Sequence, residues 1–125
     1  MAKTPEGEVK KKVRDALHSC GVFPFMEVGL GKRAEPVGTY YMPVAGPFAV
    51  HGVHDFVGCW SGRFFSIETK APNNSADETP HQGYFRVAVS LTGGISLTGV
   101  RDGQKAVDRI RQLVGEDWHA LHDRR

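Results

Sequence analysis

Val9, Val13, Ala16, Leu17 and Cys20 recur at steps of three and four residues, a spacing that predicts one apolar stripe along a first helix. Thr4 precedes it as a residue able to accept from an orphan backbone N–H, and Pro5 suits the first turn. Lys10, Lys11, Lys12 and Arg14 occupy the other face, and Gly21 supplies the stop. From residue 22 to 38 the periodicity is lost. Gly29, Gly31, Pro36 and Gly38 punctuate the stretch, and Gly29-Leu30-Gly31-Lys32-Arg33 reads as an exposed basic loop or hairpin tip.

Alternation then favours strands. Residues 39–44 predict a strand ending at Pro43, and residues 46–52 a loop. Residues 53–60 and 63–70 predict two strands joined at Ser61-Gly62 as an antiparallel hairpin. A loop rich in Pro, Asn, Ser and Asp follows over residues 71–80. Residues 79–91 predict a helix with Tyr84, Val87, Ala88 and Leu91 on one face, ended by Gly93-Gly94. Residues 95–100 return as a strand. Asp102 then caps a last helix carrying Ala106, Val107, Ile110, Leu113 and Val114. Residues 115–125 read as a polar, loosely held tail in which Trp118 is the candidate for packing. The order α-β-β-β-α-β-α predicts an α/β domain, a mixed sheet flanked by helices.

Composition narrows the class without naming a function. A chain of 125 residues suits one domain, with its core over about residues 4–114. Hydrophobic residues make up 40%, too many for a disordered chain, yet no apolar run approaches the roughly 18–20 residues that cross a membrane. The opening Met1-Ala2-Lys3-Thr4-Pro5 has no apolar stretch behind its Lys and does not read as a secretion signal. Cys20 and Cys59 form neither a CxxC pair nor a disulfide pattern, which points to reduced thiols and a cytoplasmic setting. The formal net charge of +2 is neutral on nucleic-acid binding.

The chemical signal is charge where a sheet should be apolar. Asp55 interrupts one hairpin strand, and Glu68 and Lys70 interrupt the other. Two residues apart on a strand, Glu68 and Lys70 leave from the same face. A turn at Ser61-Gly62 brings Asp55 near the level of one or the other. Buried charges are costly unless paired or coordinated. Magnesium, with its preference for carboxylate and carbonyl oxygens and retained water, would give these residues a purpose through Asp55, Glu68 and the Thr69 carbonyl. Such a cation polarises a phosphodiester and acidifies water, and Lys70 would orient that water or neutralise developing charge. The alternative from spacing alone is a salt bridge on a solvated hairpin.

The motifs around these three residues carry a resemblance. Gly52-Val53-His54-Asp55-Phe56-Val57-Gly58, Gly62-Arg63-Phe64, Ile67-Glu68-Thr69-Lys70-Ala71 and Gln82 follow the order found in the PD-(D/E)XK nuclease superfamily. More narrowly the chain resembles the VRR-NUC group, in particular its small stand-alone phage-type members. Thr4-Pro5-Glu6-Gly7-Glu8-Val9-Lys10 and the strand after Gly93-Gly94 add to the likeness, which spans Thr4 to about Leu113. It implies a restriction-endonuclease-like core and an endonuclease dependent on Mg2+, with Mn2+ as substitute. Asp55 and Glu68 would be metal ligands and Lys70 the catalytic lysine. Glu6 would be a further acidic residue near the metal or its waters, and Gln82 would touch the site or the scissile strand. Ordinary roles for these last two are a carboxylate at a helix N-terminus and a helix-surface amide. The resemblance further implies a homodimer that cuts branched DNA such as four-way junctions, in a host cytoplasm if phage-encoded. The departure is His54, where the motif usually has Pro.

Two other readings stay open: a flap or single-strand nuclease within a phage recombination complex, and a catalytically silent DNA-binding subunit. Gly31-Lys32-Arg33 lacks the earlier Gly and the Ser or Thr of a phosphate loop. His51 and His54, three apart on extended chain, point oppositely and make a poor zinc chelate. Tyr40, Tyr41, Phe48, Phe56, Phe64, Phe65 and Phe85 could be read as a base-stacking platform, but most fall at strand or helix positions that predict core packing. Lys32, Arg33, Arg63, Arg86 and Arg101 read as solvated charge or phosphate contacts, and His81 as a surface residue close to Gln82.

Overall fold

The computed structural model describes residues 4–73 and 78–122, with side chains described as far as Gly115. Its elements are α1 (Pro5–Ser19), β1 (Val22–Pro24), α2 (Phe25–Gly29), β2 (Gly38–Tyr41), β3 (Phe56–Trp60), β4 (Arg63–Thr69), α3 (Pro80–Leu91), β5 (Ile95–Val100) and α4 (Gly103–His122). The strands form one five-stranded sheet in chain order. β1 and β2 are parallel, β2–β3–β4 are antiparallel, and β4 and β5 are parallel across the α3 connection. The chain is therefore an α/β fold with a mixed sheet flanked by helices. Among the described residues no helix is long and apolar enough to cross a membrane.

The first helix follows its stripe. Thr4 Oγ1 accepts from the Gly7 N–H at 3.0 Å, and Val9, Val13, Ala16 and Leu17 are buried. They meet Phe65, Ile67 and Ile95 of the sheet and Ala106, Val107, Ile110 and Val114 of α4 in a single core. The start of α4 is held by Asp102, whose Oδ1 accepts from the Lys105 N–H at 3.1 Å. α4 runs on through Gly115 to His122, where composition suggested a loose tail. One glycine costs only about 1 kcal/mol within a helix that already has its buried face. The Trp118 side chain lies outside the described residues.

Ser61 and Gly62 both have positive φ, 50° and 84°, the conformation of a two-residue hairpin turn whose twist matches the strands. The turn sets the β3–β4 register, with Trp60 opposite Arg63 and Phe56 opposite Ile67. β3 begins at Phe56, so Asp55 stands in a bend one residue before it. β2 likewise stops at Tyr41, short of Pro43.

Two parts of the pattern resolve differently from expectation. The punctuated stretch after Gly21 contains β1, paired in parallel with β2, and the short helix α2. Arg33 there pairs with Glu27 at 2.9 Å and stacks over Phe23, so it is engaged within the protein. On α3, Tyr84, Val87, Ala88 and Leu91 face solvent, with Tyr84 70% and Leu91 82% exposed. Helical spacing also links Phe85 to Val89, and this second pair is the one turned to the sheet. Phe85 packs on His54 at 4.7 Å, and Val89 is buried against the backbone of Gly94. Close approach to Gly94 and to His54 decides the rotation of the helix.

Gly58 marks the tightest point of the central strands. A Cβ there would come within 2.2 Å of the Thr39 carbonyl and 2.9 Å of the Phe65 ring. Gly58→Ala is therefore expected to destabilise the fold by about 1–3 kcal/mol in urea unfolding, although alanine suits a strand at least as well as glycine. An unchanged midpoint would show that β2 and β3 have room to separate.

Candidate functional site

The β3–β4 ladder ends where the sequence places its charges. Continuing the register one step beyond Phe56–Ile67 sets Asp55 across from Glu68. Asp55 Oδ2 accepts from both the Thr69 N–H at 2.9 Å and the Thr69 hydroxyl at 2.6 Å. The carboxylate thus takes an N–H that a longer β3 would have met with a backbone carbonyl. On its other side β4 stays paired: the Lys70 N–H donates to the Val100 carbonyl at 2.8 Å. Between Ile67–Leu97 and Thr69–Val100, β5 carries one residue more than β4, with Gly99 at φ 65° inside the irregularity. The irregularity lies opposite Glu68, a placement typical of bulges that re-aim a side chain.

Glu68 is buried, and its Oε2 has no hydrogen-bond partner among the described residues. Its pKa is pushed up to about 8, first by burial, then by the Asp55 charge and a hydrogen bond with Asp55, against a smaller opposing effect of Lys70. Asp55 Oδ1 lies 3.7 Å from Lys10 Nζ, which in turn lies 3.9 Å from Glu6 Oε1. Glu6 therefore stands one ammonium away from Asp55. Among the described residues no three Asp, Glu, His or Cys side chains gather for a metal ion. Lys70 is half-buried, and its ammonium has no hydrogen-bonded or ion-paired partner among the described residues.

These residues fit a hard divalent cation on one observation: a buried carboxylate oxygen without a partner lies beside a second carboxylate. Two carboxylates and a carbonyl suit a magnesium-like ion that keeps several waters better than a fully caged one. Asp55, Glu68 and the Thr69 carbonyl are the residues that would hold it.

His54 is fully buried and makes a different connection. A carbonyl can only accept, so His54 Nε2 donates to the Gln82 carbonyl at 3.1 Å, leaving Nδ1 to accept from Ser66 Oγ at 2.9 Å. Ser66 Oγ lies 2.6 Å from Ser96 Oγ, which completes the chain. Burial holds the imidazole pKa below its usual value, in keeping with this neutral form. The residue before Asp55 thereby ties β4, β5 and α3 together. Gln82 opens α3 in a capping box: its Oε1 accepts from the Thr79 N–H at 2.9 Å while Thr79 Oγ1 accepts from the Gln82 N–H.

The predicted phosphate contacts are largely taken up within the protein. Arg86 forms a forked pair with Glu78, Arg63 donates to the Gly93 carbonyl, and Arg101 to the Gly99 carbonyl. His81 is exposed and pairs with His51 at 5.9 Å between ring centroids. Sequence reasoning missed Lys10 as a neighbour of Asp55, although its i,i+4 spacing from Glu6 was available as a signal. No protein-family model, curated protein or solved structure matches the chain.

Two outcomes follow from this geometry. His54→Phe keeps the ring on Phe85 but removes one partner each from the Ser66 hydroxyl, which keeps Ser96, and from the Gln82 carbonyl, so urea unfolding should show a loss of about 1–3 kcal/mol. An unchanged midpoint would mean that the imidazole hydrogen bonds add nothing to stability. Glu68 holds its proton more tightly in the folded chain than in the unfolded one, between its ordinary 4.5 and about 8. The folded chain then binds more protons across that window, and stability falls as pH rises through it. In chelator, Glu68→Gln should flatten the decline in Tm and raise Tm near pH 8. If the decline persists in the variant, another group causes it.

Proposed function

We propose that the chain is a divalent-metal-dependent endonuclease that hydrolyses DNA phosphodiesters, built on a restriction-endonuclease-like core. The observation that carries this reading is the buried Glu68 Oε2 beside Asp55, which among the described residues has no hydrogen-bond partner, two positions from Lys70, whose ammonium has none among them either. A salt bridge on a solvated hairpin accounts for none of this, because Glu68 is buried and Lys70 does not neutralise it by contact.

A bound Mg2+ would supply Lewis-acid polarisation of the phosphodiester and a more acidic water. Thr69 fixes Asp55 through two hydrogen bonds, so this carboxylate reaches the site without further ordering. Glu68 would hold such an ion as the carboxylate, so it would have to release its proton first, and binding would become more favourable as pH rises. The Lys70 ammonium orients the attacking water and neutralises charge on the phosphate oxygens as the P–O bond breaks. The attacking water gives a proton to solvent as its oxygen bonds to phosphorus. The P–O bond to the leaving alcohol breaks, that alcohol takes up a proton from solvent, and no covalent intermediate with the chain is formed. On the resemblance, the reading extends to branched DNA as substrate and to a homodimer that presents two such sites.

Labelled four-way junction, flap, linear duplex and single-stranded DNA, each with Mg2+ or Mn2+ and with EDTA as control, test the proposal. Metal-dependent cleavage of at least one substrate is expected, reduced about 100-fold or more by Lys70→Ala or Asp55→Asn. A folded, metal-saturated protein that cuts none of them would overturn the enzyme reading. Unimpaired cleavage by either variant would move the site elsewhere.

A further inference from the structure

The loop between β2 and β3 contains eight consecutive residues, Pro43-Val44-Ala45-Gly46-Pro47-Phe48-Ala49-Val50, without one charged or hydrogen-bonding side chain. A segment of this composition ordinarily fills a core. Here it lies in solvent: Phe48 is 99% exposed, Val44 86% and Val50 77%. Large apolar groups exposed together mark a surface that meets something.

The loop is shaped as well as exposed. The Ala49 N–H donates to the Gly46 carbonyl at 3.0 Å, closing a turn with Pro47 and Phe48 at its two central positions. Proline at the first of these is the favoured arrangement and restricts the chain there. Phe48 therefore stands at the apex of a constrained turn. At the far end Gly52, at φ 87°, passes so close to His81 that a Cβ would come within 2.4 Å of its carbonyl group, so the loop lies directly against the start of α3. The groove beside the loop, lined by Tyr41, Val44 and Val50, continues to His54 and Asp55. The apolar loop is one wall of a groove that reaches Asp55.

We propose that this loop is a wedge, with Phe48 inserted into an opened base stack of DNA lying along the groove while the phosphodiester backbone sits at Asp55. The inference rests on the nuclease reading and adds to it a residue that recognises the substrate. Apolar side chains enter DNA between base steps, and aromatic rings stack on bases regardless of sequence. The cost of opening a step is smallest where the stack is already interrupted, at a branch or a nick. The occupant is DNA because the groove walled by the loop runs to Asp55, which the phosphodiester must reach to be cut.

The test compares a nicked and a continuous duplex of one sequence, each with 2-aminopurine at the central step, bound in EDTA so that no cleavage intervenes. Wild type should bind the nicked duplex about ten-fold tighter than the continuous one and change its 2-aminopurine fluorescence. Phe48→Ala, a change at a fully exposed side chain, should remove both the preference and the fluorescence change, and Phe48→Trp should restore them. Unchanged preference and fluorescence in Phe48→Ala would overturn the wedge and leave the nuclease proposal standing. Wild type that binds and discriminates but cleaves nothing with Mg2+ would do the reverse. Sedimentation that finds a wild-type dimer split by Phe48→Ala, with fluorescence unaffected, would make the loop a protein contact and overturn the wedge. Wild type that binds neither duplex would overturn the wedge, and the cleavage assay with Mg2+ would then decide the nuclease proposal alone.

Discussion

The carboxylate of Asp55, held by the N–H and hydroxyl of Thr69, is the interaction on which the arrangement of the site depends. It ends the hairpin ladder by substituting a side chain for a backbone acceptor. The same contact brings a negative charge up to Glu68, which burial has already made reluctant to ionise. Without it, Glu68 would be an isolated buried acid and Lys70 an ordinary strand-end lysine.

Behind this contact the fold supplies stiffness from three directions. The turn at Ser61-Gly62 sets the register that opposes Asp55 to Glu68. The irregular pairing with β5 lies opposite Glu68. The chain from Ser96 through Ser66 and His54 to the Gln82 carbonyl fastens the residue before Asp55 to two strands and a helix. Pro at that position would restrict the backbone directly; His54 restrains it through hydrogen bonds. The proposed nuclease chemistry and the proposed wedge both draw on this rigidity, because each needs a phosphate and a base stack presented at a set distance from one another.

Much of the fold was legible in the sequence because burial imposes period. The stripe of α1, the hairpin strands, β5 and the buried face of α4 all emerged from spacing, and the Ser61-Gly62 turn from residues that tolerate positive φ. Asp55, Glu68 and Lys70 stood out as charges in apolar strands. Less legible were elements too short for a period to show, such as β1 and α2. The capping box of Gln82 with Thr79 could be read from their spacing of three residues.

By itself, then, the sequence determined which residues could meet: the hairpin's two-residue turn and the alternation of its strands leave Asp55 only the level of Glu68 or its neighbours. Only the tertiary structure decided what that meeting is like. Burial of Glu68, the orphaned oxygen, the reach of Lys10 from α1 and the outward rotation of α3 depend on how separate elements pack, and local periodicity carries no information about that. The apolar loop at residues 43–50 shows the same division. The punctuation at Gly46, Pro47 and Gly52 marked a loop, but that its apolar side chains stand in solvent along a groove to Asp55 was decided by the tertiary structure.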